Sequence, residues 1–341
     1  MARSRISIAV LLTTLIGSEA ALASETGASP EGPTVALATN SNYADFMMLM
    51  VDKSALAAEL RTWPEKFAES KLLKSFKIAI GKAEGDKEFE GDNKTPEGVY
   101  FAQHHIDGNT LPEKYGTMAI PIDFPNPIDQ MKGKTGHGIW LHGVDRESRI
   151  EEAKVTEGCV AFYNSDIANL ASWLKSHQGV VVIAGDLKTV NQQDDLEAVR
   201  SSTLSWMDSW ANRDIDGYIS WYAPAFNNAG MNLKAYKDYK QRVFSSYKTM
   251  TVAYDHLRVI THPKYAISFF NQDFRGDNRF VSDGRKVLYW EKTDEGHWRI
   301  VREIFEKRRF EFVTFTESEL ALLGDKAQSG PAEKEKKSPN L

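Results

Sequence analysis

The chain contains one cysteine, Cys159, which follows His142 with sixteen residues between them. A thiol attacks carbonyl carbon only as the thiolate, and an imidazole within hydrogen-bond reach supplies the base that makes it so. Gly158, directly before the sulfur-bearing residue, lets backbone approach a bound carbonyl closely, so that amide N–H groups near Cys159 can stabilise an oxyanion. Together these residue types define acyl transfer through a cysteine nucleophile. Two other readings compete with it: an inert core cysteine beside a core histidine, and a zinc site built from His137, His142 and Cys159. The zinc reading is the weaker, because His137 and His142 lie five apart and face opposite sides of a straight strand. No spaced Cys or His pair completes a ligand set, so neither a metal nor another cofactor is expected.

These residues must be positioned by short strands. Phe46 to Asp52 is apolar enough for a buried strand, Ser54 to Leu60 reads as a turn or short helix, and Phe76 to Ile80 alternates as a strand does. The Gly- and Asp-rich stretch from Gly81 to Gly91 predicts a hairpin. Further strands are expected at Gly98 to His104, Met118 to Ile122 and Gly138 to His142. Asn164 is placed as the N-cap of a helix from Ser165 to Ser176, and Val180 to Ala184 closes the unit as a β-branched strand. From Leu196 the texture changes to a long amphipathic helix, then a helix over Leu233 to Tyr247. Strands at Thr251 to Val259, Ala266 to Phe274, Lys286 to Lys292 and Trp298 to Phe305 complete an α+β unit.

The string His142-Gly143, then Thr156-Glu157-Gly158-Cys159-Val160, resembles the signature of the L,D-transpeptidase catalytic domain family, the YkuD-type fold of cell-wall enzymes. Val51-Asp52-Lys53, the run from Gly91-Asp92 through Thr95-Pro96-Glu97-Gly98 to Tyr100, and Asn164-Ser165-Asp166-Ile167 extend the resemblance over roughly residues 45 to 185. It implies a mainly β catalytic domain in which Cys159 is nucleophile, His142 is base and the Gly143 carbonyl orients the imidazole. Gly158 and Thr156 would support the cysteine loop. From the residues themselves, Trp140 shares a strand face with His142 and either lines a substrate groove or, more often for a tryptophan, packs in the core, while Arg149 and Lys154, between His142 and Cys159, either meet stem carboxylates or belong to a plain solvated loop. The implied partner is the peptidoglycan stem peptide, cut at the meso-diaminopimelate–D-Ala bond through a thioester. The commoner signature has His or Asn before the Gly-Cys pair and Arg two residues after the cysteine, where this chain has Glu157 and Ala161. That departure favours the branch of cell-shape L,D-carboxypeptidases, with tetrapeptide converted to tripeptide. An L,D-transpeptidase forming crosslinks or lipoprotein links is the alternative, and a non-catalytic wall-binding module is a third reading. Trp206, Trp210, Asp214 to Tyr218, Tyr222 and Phe226 resemble the opening of a nuclear transport factor 2-like domain. It is assigned a supporting or substrate-positioning role, with exposed aromatics able to stack on sugars.

The rest of the chain bounds the setting. With 341 residues and 42% apolar content there is material for two cores. Arg3 and Arg5 precede an apolar run from Ile6 to Ile16, and Ala21-Leu22-Ala23 follows, which reads as a secretory signal peptide over 1–23 cleaved after Ala23. The expected order is then a flexible leader over 24–44, the catalytic domain over 45–185, a polar linker over 186–194, the second domain over 195–318 and a disordered tail over 324–341. The expected location is the periplasm, without stable membrane insertion. A net charge of -5 argues against nucleic-acid binding, and Lys307-Arg308-Arg309 reads as a solvated strand end. A homodimer is compatible with the sequence.

Overall fold

The computed structural model describes residues 43–174, 179–277, 279–310 and 313–315. The expected signal peptide, most of the leader and the C-terminal tail lie outside the described residues. The first unit is a curled sheet built from β1 (Tyr43–Asp52), β2 (Ala57–Trp63), β3 (Leu72–Gly81), β4 (Gly98–Phe101), β5 (Ile106–Asp107), β6 (Met118–Pro121), β7 (Trp140–His142), β8 (Lys154–Thr156), β9 (Val160–Phe162) and β10 (Val180–Ala184). Its strand order is β4-β10-β1-β2-β3-β9-β7-β6-β5, with β8 beside β3. Helices α1 (Pro127–Met131), α2 (Ser148–Glu151) and α3 (Asn164–Trp173) lie in the connections. Helix α3 packs on the sheet through Ile167, Leu170 and Ala171.

The apolar run in β1 does not alternate, and the packing explains why. Met47, Leu49 and Val51 face the core under α3, while Phe46, Met48 and Met50 face a second core. A strand covered on both faces needs apolar residues at every position. β10 divides in the same way, with Val181 and Ile183 on one side and Val180, Val182 and Ala184 on the other.

What covers the second face is the other unit. Its helices α4 (Gln193–Ala211), α5 (Ile215–Ser220) and α6 (Leu233–Ser245), with the small pair β11 (Asn227–Asn228) and β12 (Met231–Asn232), precede an antiparallel meander. The meander runs β13 (Met250–His262), β14 (Tyr265–Gly276), β15 (Phe280–Lys292) and β16 (Trp298–Glu306) in order. One face, with Ile260, Ile267, Phe269, Val287 and Tyr289, closes the shared core against β1, β4 and β10. The other, with Phe270, Leu288, Trp290 and Ile300, packs on the helices through Val199, Trp206 and Trp210. A final strand, β17 (Val313–Phe315), returns to pair antiparallel with the start of β1.

Several local expectations change. Ser54 to Leu60 is neither a simple turn nor a helix: Lys53 to Leu56 turns, and Ala57 onward is β2, paired with β1 and β3. Its alanines favour helix intrinsically, but cross-strand pairing overrides that preference. Gly81 to Gly91 forms no hairpin; it opens a long loop closed by the Ala83–Lys94 bridge. Within the segment read as a polar linker, Val190 and Asn191 are buried, and Asn191 exchanges backbone and side-chain hydrogen bonds with Thr261. Arg309 is not a solvated strand end: it pairs with Asp255 and Asp273. The aromatics at the opening of the second unit, Trp206, Trp210, Tyr218, Tyr222 and Phe226, are core residues and present no stacking surface.

The helix side of that sheet also buries charge. Glu303 accepts from the hydroxyls of Tyr222 and Tyr236 at 2.6 Å each, pairs with Lys286, and lies 3.9 Å from Lys240. Burial alone would raise the Glu303 carboxyl, yet the two ammonium groups and the hydroxyls hold it far below its ordinary value. Burial meanwhile pushes Lys240 down to about 8. Glu303→Ala strips both cations of their counter-charge and is expected to cost about 3–5 kcal/mol of stability, read from the urea unfolding midpoint. An unchanged midpoint would contradict this account.

Candidate active site

Of the two residues singled out by spacing, His142 ends β7 and Cys159 directly precedes β9. β7 and β9 run parallel, with Leu141 opposite Val160 and His142 opposite Ala161. Leu141 and Val160 both enter the core, so the alternating pleat sends His142 and Ala161 to the other face. Cys159 lies in the turn one residue before β9. The thiol is buried, 8% exposed, and donates to the Gly138 carbonyl at 3.5 Å.

The turn carrying Cys159 is fixed from two sides. Thr156 Oγ1 donates to the Cys159 carbonyl at 2.7 Å and accepts from the Gly158 N–H at 3.2 Å. Gly158 has φ +122°, and a Cβ there would stand 2.7 Å from the Lys94 carbonyl oxygen. Only glycine satisfies both the left-handed backbone and this contact with the loop before β4.

His142 is 3% exposed, and its Nδ1 lies 2.5 Å from the Gly143 carbonyl oxygen. A carbonyl only accepts, so Nδ1 carries the proton and the Nε2 lone pair is left for other work. Gly143 is held by its own N–H on Met118 and by the Asn164 amide, whose oxygen accepts from Thr117 and Val144 at 3.0 and 3.2 Å. The same amide donates to the Val144 carbonyl at 2.7 Å and to Glu147 at 2.9 Å. Asn164 is therefore not the N-cap expected from sequence. It is the first residue of α3, and its side chain clamps the loops that flank His142.

Burial dominates the electrostatics. It pushes His142 down to about 4, with Arg149 and Lys114 adding to the fall while the Gly143 carbonyl opposes it. It pushes the Cys159 thiol up to about 11, against the Trp140 N–H and Lys114, which pull it down; Glu157 adds to the rise. At neutral pH the resting pair is thus an uncharged thiol and an uncharged imidazole.

The remaining expected contacts separate. Trp140 packs on Tyr115 at 4.8 Å, and Tyr115 stands edge-on to His142 at 5.1 Å, so Trp140 belongs to the wall of the site. Arg149 is engaged by Asp145 at 2.9 Å and by the Lys114 carbonyl at 3.2 Å. Lys154 lies on β8 at the edge of β3 and pairs with the exposed Glu84 at 2.5 Å. The cation that bears on both Cys159 and His142 is Lys114, beside Tyr115 in the turn before β6. Neither Lys114 nor Tyr115 carries any signal of its own in the sequence. His137 is exposed and lies 3.8 Å from Glu90, and among the described residues no group of three or more His, Cys, Asp or Glu side chains is placed to hold a metal.

A curled, mainly β sheet presenting a cysteine and a histidine, joined to a cone of helices on a curved sheet, is a recognisable pairing. Residues 49–183 match the family model of the L,D-transpeptidase catalytic domain, and residues 198–304 match that of the Cds6 C-terminal NTF2-like domain. The chain therefore carries a YkuD-type L,D-transpeptidase catalytic domain followed by an NTF2-like domain. YafK of Escherichia coli strain K12, described as an L,D-transpeptidase candidate, is 34% identical over 97 residues, 28% of this chain and 35% of that protein. The chain thus spans about a third of the length of that curated relative. Among solved structures, Bd1075 of Bdellovibrio bacteriovorus superposes with a TM-score of 0.66 at 25% identity, covering 77% of this chain and 92% of that one. The helical cell shape determining protein Pgp2 of Campylobacter jejuni gives 0.62 at 22% identity, covering 78% and 94%, a likeness of fold across both domains.

Removing the Asn164 amide leaves the Thr117 and Val144 backbone groups without their partner. Asn164→Ala is expected to lower stability by about 1–3 kcal/mol, measured by urea unfolding. A loss within experimental error would mean that these loops hold themselves.

Proposed function

We propose that this protein is an exported, periplasmic cysteine enzyme that acts on peptidoglycan stem tetrapeptides as an L,D-carboxypeptidase, releasing D-Ala and leaving tripeptide. The observation that carries this reading is the parallel pairing of β7, which ends in His142, with β9, which begins directly after Cys159, together with Nδ1 of His142 committed to the Gly143 carbonyl. The match to the L,D-transpeptidase catalytic domain supplies the substrate class.

In the proposed reaction Nε2 of His142 takes the thiol proton as the sulfur attacks the carbonyl carbon of meso-diaminopimelate. The Gly158 N–H is taken by Thr156 Oγ1, so the Cys159 N–H of that turn receives the developing oxyanion. The bond to D-Ala breaks, the imidazolium returns its proton to the leaving amine, and a thioester remains. Water, deprotonated by the same nitrogen, then attacks the thioester, releasing tripeptide and restoring the thiol. Because both partners rest uncharged, proton transfer accompanies attack.

Water is favoured over an amine acceptor on one local ground. Ala161, where the commoner signature has arginine, is fully buried against Val144 and Ile150 and offers no cation to an incoming stem peptide. Transpeptidation is the second reading, on the same nucleophile.

Incubation with disaccharide-tetrapeptide, followed by mass spectrometry, tests the assignment. Disaccharide-tripeptide is expected from the wild type and none from Cys159→Ala, which should remain folded because a methyl replaces a thiol with little change in packing. Crosslinked dimer instead would identify a transpeptidase, and equal product from Cys159→Ala would sink the cysteine mechanism.

The pH dependence provides a separate check. An imidazole held at about 4 stays an unprotonated base down to mildly acid pH. The kcat/KM for tetrapeptide should therefore be flat through pH 6 and fall as pH drops through about 4; an acid limb near 6.5, the value of an unperturbed imidazole, would refute the buried-base account.

A further inference from the structure

We propose that Lys264, in the NTF2-like domain, is a positioning residue of the active site, holding the loop on which the Gly158-Cys159 turn rests. Its catalytic consequence rests on the acyl-transfer reading above, whereas its geometry does not.

Lys264 lies at the tip of the β13–β14 hairpin, between His262 and Tyr265, which are paired across it. The tip reaches into the catalytic domain at three residues. His262 Nε2 lies 3.1 Å from the Ile183 carbonyl oxygen; Tyr265 OH accepts from the Val99 N–H and from the Asn126 amide at 2.7 Å each; Lys264 Nζ donates to Asp86 at 2.6 Å and to Glu97 at 3.1 Å. These two carboxylates sit near opposite ends of the long loop before β4, and Glu97 N–H donates to Asp86 at 2.7 Å.

Lys264 thus closes a compact ionic cluster. Lys53 reaches Glu97 at 2.9 Å and the Thr95 carbonyl at 2.8 Å, and Lys134 pairs with Asp86 and with Asp129 at 3.0 Å. Three ammonium groups meet three carboxylates, so losing Lys264 leaves a net negative charge in a largely buried site. The segment fastened by this cluster runs from Lys94 to Glu97, with Thr95 Oγ1 accepting from the Gly81 N–H at 2.9 Å. The Lys94 carbonyl oxygen is the atom that a Cβ on Gly158 would meet at 2.7 Å. The path from the second domain to the nucleophile is therefore continuous: Lys264, Glu97 and Asp86, the Lys94–Thr95 backbone, Gly158, Cys159. An oxyanion turn works only while its donors stay within a few tenths of an ångström of the productive geometry. A loop held by a charge from another domain supplies that constraint without placing any residue of that domain on the substrate.

Cys159 is the sole cysteine, so its alkylation by iodoacetamide reports the turn directly, independent of any substrate. In the full two-domain protein, Lys264→Met keeps the length of the side chain and removes its charge. Alkylation is expected to rise at least five-fold as the thiol loses cover, and tetrapeptide kcat to fall at least ten-fold with KM within two-fold; Lys264→Arg should restore both. A role confined to stability would lower the melting temperature and leave both rates within two-fold of wild type below it, and that result overturns the proposal. If Lys264→Met fails to fold, Tyr265→Phe, which removes the hydroxyl serving Val99 and Asn126, is judged by the same rates. Should wild type prove inactive on tetrapeptide, the alkylation rates alone decide between the two outcomes, so failure of the functional reading is distinguishable from failure of this one.

Discussion

The structure depends on one layer of strands that is apolar on both faces. β1 and β10 carry catalytic-domain core on one side and second-domain core on the other, with Met48, Val180 and Val182 packed toward Ile260, Ile267 and Phe269. Exposing that second face would leave a contiguous apolar surface of a kind that soluble monomers rarely tolerate. The two domains are therefore one folding problem, unlike modules joined by a linker, whose interfaces are small and polar. The packed connection through Val190 and Asn191, and the return of β17 to β1, follow the same logic.

A shared core gives position but little orientation, since apolar contact is non-directional. Orientation comes from polar groups placed around its rim. Arg258 donates to the Trp63 carbonyl at 2.7 Å, Tyr265 engages Val99 and Asn126, and Lys264 joins Asp86 and Glu97. Each is a directional link to a group largely withdrawn from solvent, where hydrogen-bond geometry fixes the angle. The same division of labour recurs around Cys159 and His142, where Leu141 and Val160 anchor β7 and β9 in the core while Thr156, Gly143 and Asn164 set the angles.

How far the sequence discloses this follows from the range of each interaction. Cys159, His142 and Gly158 are legible because their chemistry is local and their spacing fixed, and the long helix α4 because its apolar stripe repeats. The alternation of β3 and the β-branched run of β10 likewise announce themselves. β2 does not, because its alanine-rich stretch is a strand only by virtue of β1 and β3 on either side. Asn164 has the residue type of a cap, and only the fold shows its amide bonded instead to loops distant in sequence. Lys114 and Tyr115 are silent for the same reason: nothing in a Lys-Tyr pair in a turn marks it as the neighbour of a histidine on a strand. Lys264 is the extreme case, a turn lysine whose partners belong to another domain.

The uncharged resting state of the site also follows from the packing. A solvated cysteine and histidine pair stabilises an ion pair through its hydration, but here the sheet, Tyr115 and Trp140 remove water from the imidazole, and the sulfur is almost fully covered. A buried thiolate would have only the Trp140 N–H and the distant charge of Lys114 to offset its loss of solvent, with Glu157 opposing both. The resting thiol therefore keeps its proton. That arrangement guards the lone cysteine, because alkylation and oxidation both proceed through the thiolate. Burial thus costs the thiol reactivity toward small electrophiles.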